Sequence, residues 1–550
     1  MTDQAGGPQD DQPKGAGQPE GTAHTEGTAP PQGTPPSKGT GRMIRNIVTL
    51  GGWTLVSRGA GLARELMMAN YLGAGAVADA FNVAFSLPNM FRRFFAEGAF
   101  NQAFVPLYAK KAEAGEDAAG FARDAMAGLG LVLLVFTVIG TLAMPWLVWA
   151  MAAGFVGDAR FDLAVDFGRI TFVYILFISL FALLSGVLNA HGRFAEAGFV
   201  PVLLNLVFIA AMLLADALGW DMGQTLVWTV PLTGIAQLAW TWWAAKRAGV
   251  APSLGWPRLT PDLKRLLVIA GPAVLAGGVV QINLIVSRQV ASGTEGAISW
   301  LVYADRLYQL PLGVVAIAVG TVLLPELARR LRAGDDAGGR AAFNRGAEFA
   351  LALTLPAAAA LIAIATPITQ VLYQRGAFTA ADTAATAAAL AAYGAGLPAF
   401  VLHKVLQPLF YAREDTRRPF RYAVWSMVVN AGLAVALMPV IGYLAAALAT
   451  TLSAWVMVWQ LWRGARDMGE TARFDDRFKS RLLRIGLASA GMAAVLFAAA
   501  WLAAPALQAP GLRYGALAAL VLGGIATYGA LGWLLGAFRL SDFRAALKRG

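Results

Sequence analysis

Cysteine is absent from the 550 residues, and histidine occurs only at His24, His191 and His403. No disulfide, thiolate nucleophile or cysteine-based metal site can form, and three scattered histidines leave little for a zinc centre. No metal and no cofactor are expected. The chain also lacks G-x-x-x-x-G-K-[ST], H-E-x-x-H and G-x-S-x-G, so nothing supports ATP hydrolysis or covalent catalysis. Charge is scarce: 14% of residues are Asp, Glu, Lys or Arg, against about 25% in soluble domains. What fills the chain is apolar, 57% of it, with a mean hydropathy of +0.57. These values describe an all-α polytopic membrane protein. The net charge of +11 calls for no nucleic acid, because loop cations on the cytoplasmic side of a membrane account for it.

Residues 1–41 are mostly Gly, Pro, Thr and Gln with almost no large apolar side chain, so they are expected to be a disordered cytoplasmic tail. They have no apolar core like that of a signal peptide. At roughly 20 apolar residues per span, about 14 transmembrane helices are predicted, near 44–72, 77–109, 126–153, 163–190, 199–218, 224–245, 266–291, 296–327, 346–371, 383–411, 420–439, 442–462, 482–505 and 514–537. Arginine and lysine concentrate in every even-numbered connection, whereas the other side has only Arg160, Arg375 and Arg513. Both termini are therefore expected in the cytoplasm. Leu87-Pro88 recurs as Leu310-Pro311, Pro106-Leu107 is echoed by Pro325-Glu326-Leu327, Asn205 by Asn430 and Gln237-Leu238 by Gln460-Leu461. The expected organisation is two parallel six-helix repeats, 42–250 and 258–467, followed by two extra helices over 480–540, with a substrate site between the repeats.

A charge at the bilayer centre costs about 2.5–3.5 kcal/mol on the insertion scale, yet charges cluster in the first two spans. Asp79, Asn82, Ser86, Asn89, Arg93, Glu97 and Asn101 step by three or four and form a polar stripe on one face of helix 2. Such a stripe must face protein or water, and Pro88 and Pro106 are expected to bend the helix. Arg93 and Glu97, four apart, can pair for packing alone. On helix 1, Arg58 and Glu65 share a face while Arg64 points elsewhere unless the segment bends. Helix 8 brings Ser299, Tyr303, Arg306 and Gln309 to one face, with Asp305 beside them. Within spans the bases are Arg58, Arg64, Arg92, Arg93, Arg169, Arg288, Arg306 and Lys404; the acids are Glu65, Asp79, Glu97, Asp166, Asp216 and Asp305. The positive excess favours an anionic ligand, and arginine forks suit a phosphate or diphosphate head group. Helices 13 and 14 carry no charge from Ile485 to Leu512 or from Tyr514 to Phe538; they could pad the bundle in lipid or form a groove for a lipid tail.

The stretch Ser57-Arg58-Gly59-Ala60-Gly61-Leu62-Ala63-Arg64-Glu65, followed by Ala78-Asp79-Ala80-Phe81, Leu87-Pro88-Asn89 and Arg92-Arg93-Phe94-Phe95-Ala96-Glu97-Gly98-Ala99-Phe100, closely resembles the bacterial MurJ (MviN) family of lipid II flippases in the MOP exporter superfamily. Tyr303-Ala304-Asp305-Arg306-Leu307 and Arg375-Gly376-Ala377-Phe378-Thr379 look like further family blocks. The resemblance implies two six-helix bundles with alternating access, a bacterial inner-membrane location, and an undecaprenyl diphosphate-linked peptidoglycan precursor as substrate, moved to the outer leaflet. By position it carries function to Arg58, Arg64, Asp79, Arg92, Arg93, Glu97 and Arg306, with Ser299 and Lys404 as further cavity candidates. It also implies a prenyl-tail groove at helices 13 and 14. The partners it suggests are membrane lipids and cell-wall synthesis proteins. Helices 7, 11 and 12 contain no Asp or Glu, which departs from sodium-coupled members with acidic ligands there.

The alternatives are a flippase for another polyprenyl-diphosphate oligosaccharide or a related multidrug exporter. A cation exporter should have an acidic cavity, and these spans are basic. A membrane glycosyltransferase would need a catalytic carboxylate near the surface, but the acids near outer loops, such as Asp158, Asp221 and Glu295, are scattered. A scaffold has no use for buried arginines.

Overall fold

The computed structural model describes residues 38–93 and 99–537. Glu97, most of the 1–41 tail and the cations beyond residue 537 lie outside them. Helix already begins at Lys38, within the segment expected as tail. No strand occurs among the described residues. In chain order the helices are α1 (Lys38–Leu72), α2 (Ala76–Arg92), α3 (Ala99–Glu113), α4 (Ala118–Leu142), α5 (Met144–Ala152), α6 (Ala159–Thr171), α7 (Tyr174–Ala190), α8 (Phe194–Leu218), α9 (Met222–Arg247), α10 (Pro261–Ser292), α11 (Ala297–Arg332), α12 (Asp336–Ala363), α13 (Ala365–Tyr373), α14 (Ala380–Tyr411), α15 (Arg417–Ile441), α16 (Leu444–Ala465), α17 (Asp476–Leu502), α18 (Ala504–Gln508) and α19 (Arg513–Leu534). The segment expected as one helix over 77–109 is described as α2 and α3, with 94–98 outside the described residues.

Helix starts are set by side chains that accept from otherwise unpaired N–H groups. Asp117 accepts from the Gly120 amide at 2.7 Å, Asp221 from Gln224 at 2.7 Å and Asp475 from Phe478 at 2.6 Å. Thr379 and Asp382 form a reciprocal capping box at the start of α14.

Nine stretches among the described residues are long and apolar enough to cross a membrane. The cluster-bearing α1, α2 and α11 are not among those nine. The apolar helices expose rather than bury much of their surface: on α4, Leu131, Leu134, Val138 and Leu142 are all exposed. That is the surface a lipid-facing helix presents.

Helix-breaking prolines are compensated by neighbours. Pro88 has no N–H to offer the Ala84 carbonyl one turn earlier; the Thr171 hydroxyl on α6 donates to it at 3.1 Å instead. On α12, Pro356 leaves the Ala352 carbonyl, which receives the Tyr528 hydroxyl from α19 at 2.7 Å. This second bond ties α19 to the helix that α17 also packs against.

Candidate functional site

Charged side chains on α1 meet α11. Glu65 pairs with Arg64 at 2.5 Å and with Arg306 at 3.3 Å. Seven residues earlier, the Arg58 guanidinium lies on Gly313, where a Cβ would fall 1.9 Å from Nη1. Residues 58 and 65 thus face 313 and 306, the register of two antiparallel helices with one face each turned to the other. Only glycine leaves space for Arg58 at position 313. Spacing sets Arg64 off the face of Arg58 and Glu65 unless the segment bends; its side chain is buried, folds back onto Glu65, and lies 5.3 Å over the Phe208 ring of α8. The Arg306 side chain is 46% exposed while its partner Glu65 is 6% exposed. Glu65 therefore anchors two guanidiniums, one sealed in protein and one still facing open space.

The polar stripe of α2 changes character along its length. Asp79 is fully buried, Asn82, Ser86 and Asn89 are half-buried, and Arg93 is exposed. At its buried end Asp79 accepts from the Gly296 amide at 2.7 Å, the Ser299 amide at 2.9 Å and the Ser299 hydroxyl at 2.7 Å. Asp79 is thus the N-terminal cap of α11, supplied by a different helix, with the negative charge at the favourable end of the helix dipole. Asn82 adds a bond to the Ser299 hydroxyl at 3.1 Å.

Other bonds at the same end join the first nine helices to α10, α11 and the turn before α14. Arg160 reaches the Ser292 carbonyl at 3.2 Å and lies 3.8 Å from Asp79. Gln289 donates to the Trp149 and Ala150 carbonyls and accepts from the Ala153 amide. Tyr303 donates to the Gly73 carbonyl at 3.0 Å, and the Ala377 amide to the Asn70 carbonyl at 2.8 Å. Gly376, at φ +54°, packs on Asn70 so closely that a Cβ would sit 2.2 Å from its carbonyl oxygen. This explains the Arg375-Gly376-Ala377 block: it closes a seam. The Asp158 carboxyl, which also grips Arg160 at 2.7 Å, is held below its ordinary pKa by hydrogen bonds from the Arg160 amide and side chain.

The remaining candidates are placed as follows. Arg92 is half-buried at the end of α2, Glu97 lies outside the described residues, and Lys404 is half-buried on α14 without an ion pair among the described residues. Ser299 belongs with Asp79 in the seam rather than with the arginines. A separate cavity of about 550 Å³ lies among α10, α11, α14, α15 and α16, lined in part by Arg288, Asp305, Tyr308, His403 and Asn430. Glu65, Arg160 and Gln289 emerge from the structure as residues that organise the site. Glu65 is visible in the sequence by its face; Arg160 stands out there only as a cation of the outer side and Gln289 not at all, because Ser292 and the Trp149–Ala153 backbone that they reach lie more than a hundred residues from them.

Comparison with known proteins gives the family and the fold. The family profile described as "Lipid II flippase MurJ" matches residues 68–522. A relative from Rhizobium meliloti, a "Probable lipid II flippase MurJ", is 46% identical over 522 residues, covering 92% of this chain and 97% of the relative. A solved structure, "Lipid II flippase MurJ, inward closed conformation", superposes with a TM-score of 0.74 at 26% identity, covering 88% of this chain and 98% of that one. An inward-facing multidrug resistance MATE transporter of the MOP superfamily, 13% identical with a TM-score of 0.64 and covering 77% of this chain and 98% of its own, shares the fold. With the family blocks on α1, α2 and α11 folded into one charged cluster and one seam, and with near full-length similarity to its relatives, this chain belongs to the MurJ family of lipid II flippases, which are transporters and not enzymes.

Proposed function

We propose that this protein moves lipid II from the cytoplasmic to the outer leaflet of the bacterial inner membrane by alternating access. Fourteen spans, both termini cytoplasmic, form two six-helix bundles (42–250 and 258–467) plus the 480–540 pair. The observation that carries the reading is Arg306: paired to a buried Glu65 yet nearly half exposed, it is a preset guanidinium with donors left for a second anion. A diphosphate accepts several such donors at once. Arg58 and Arg93, both exposed, and Arg64 and Arg92 supply further positive field; Glu97 and Lys404 belong to the same proposed cavity.

The seam built on Asp79 and Ser299 supports an assignment of state. It closes the end that the loop charges place outside, while the exposed arginines lie toward the cytoplasmic end, as a substrate entering from the inner leaflet requires. Asn205 bonding the Ser57 carbonyl and Asn430 bonding Asn283 are equivalent contacts in the two proposed bundles, which supports the repeat. The uncharged parts of α17 and α19, 485–502 and 514–534, are the proposed tail groove. The test is complementation of a strain depleted of its own flippase: Arg58→Ala, Arg93→Ala and Arg306→Ala should each insert normally and fail to sustain growth. Three active variants would sink the proposal.

A further inference from the structure

Between α9 and α10 the chain runs without helix from Ala248 to Thr260, and both ends of this linker are pinned. Val250 and Ala251 pack with Leu188, Ala244 and Ala245, and Pro252 is buried. At the other end Thr260 caps α10, Asp262 pairs with Lys111 at 3.1 Å, and Leu263 enters the core against Gly128. In the middle the Arg123 side chain lies against Gly255, but the apolar side chains on either side of it stand out. Leu254, Trp256 and Leu259 are 81%, 88% and 64% exposed, among the most exposed large apolar residues described.

Two features say what covers them. The tip is continuous with lipid-facing surface: Leu267, Val268 and Ile269 on the first turns of α10 are exposed, as is Trp243 near the end of α9. Exposed Lys246, Arg247, Arg258, Lys264 and Arg265 surround it, and Arg247 lies 5.5 Å over the Trp243 ring. Tryptophan and leucine ringed by cations at the end of a span is the composition of a segment lying in an interface, with the rings at headgroup level and the charges on anionic lipid. A protein partner would have to compete with the bilayer that α9 and α10 already bring to this spot.

We propose that Ser253–Leu259 is an interfacial anchor: Leu254, Trp256 and Leu259 seat in the headgroup–acyl boundary of an anionic leaflet and hold the connection between the two bundles at the membrane surface. The anchor depends on α9 and α10 spanning a membrane and not on which substrate is carried.

Absence of native cysteine makes the test direct. Trp256→Cys and, separately, Leu254→Cys carry an NBD label in the full-length protein, reconstituted in phosphatidylcholine vesicles with or without phosphatidylglycerol; Ala114→Cys, on the exposed α3–α4 turn, is the aqueous control. Both tip labels should emit further to the blue than the control, be quenched by a lipid bearing a shallow doxyl group and resist iodide. The effect should be stronger with phosphatidylglycerol and weaken when Arg258→Glu and Lys264→Glu are added. Iodide quenching of both tip labels equal to the control would overturn the anchor, and shielding indifferent to phosphatidylglycerol would overturn its anionic preference.

Discussion

Glu65 and Arg306 meet at 3.3 Å between α1 and α11, with the carboxylate buried and the guanidinium side chain nearly half exposed. One partner is fixed by protein and the other is held at the edge of open space, so the pair presents positive charge without leaving it unanchored.

Removing Arg306 should abolish the anion site, and Arg306→Lys should not restore it, because a point charge cannot serve Glu65 and a second anion as a fork does. A hydrogen bond to a charged group is worth about 1.5–3 kcal/mol, so lipid II binding to either variant should weaken by roughly ten- to a hundredfold. Binding by purified protein in detergent checks this. Glu65→Gln should act differently: it strands the buried Arg64, costing about 3–5 kcal/mol, and thermal unfolding should show that loss.

Gly313→Ala should separate position from stability. The new methyl meets only the far end of the Arg58 side chain, which can swing away, so the melting temperature should hardly change. Transport should fall toward the level of Arg58→Ala.

Asp79→Ala should loosen the seam. It removes an acceptor of three hydrogen bonds from Gly296 and Ser299, each worth about 1 kcal/mol or more when a charged group takes part. Spin labels at Asp162→Cys and Ala381→Cys, exposed positions on opposite sides of the seam, should show a longer distance population in the variant than in the parent.

Mild acid should leave the Asp158–Arg160 contact intact. The Asp158 carboxyl that positions Arg160 is held below the ordinary carboxylate range by hydrogen bonds from Arg160. A depressed folded pKa gives a contribution that is complete above the unfolded value and lost only as pH falls through the folded one. The loss of stability caused by Asp158→Asn, measured by thermal melts, should therefore be the same at pH 7 as at pH 5.

Thr171→Val should cost about 1–3 kcal/mol by stranding the Ala84 carbonyl. In a Pro88→Ala background the helix regains its own donor, so the same change should cost much less. A double-mutant cycle of thermal melts measures the difference.

The charges, their faces and the membrane class were legible because helical periodicity and hydropathy are local properties of a sequence. Arg58 and Glu65, seven apart, do share a face toward α11. For Arg64, spacing fixes the direction of the Cβ and not where a long flexible guanidinium ends; it curls back to Glu65 and over Phe208. Asp79 read as one member of a polar stripe, and its position in the stripe was right. Its action as the cap of α11 was hidden because Gly296 lies 217 residues away in sequence. Thr171 and Tyr528, which answer the proline-freed carbonyls, carry no local mark of that role.

Leaflet accessibility of lipid II in proteoliposomes, with and without an imposed membrane potential, compares transport by the parent protein with transport by Arg306→Ala. The parent should render inner-leaflet lipid II accessible from outside under at least one gradient condition, and Arg306→Ala should not. Equal accessibility for the parent, the variant and protein-free vesicles under every gradient would contradict the proposed transport.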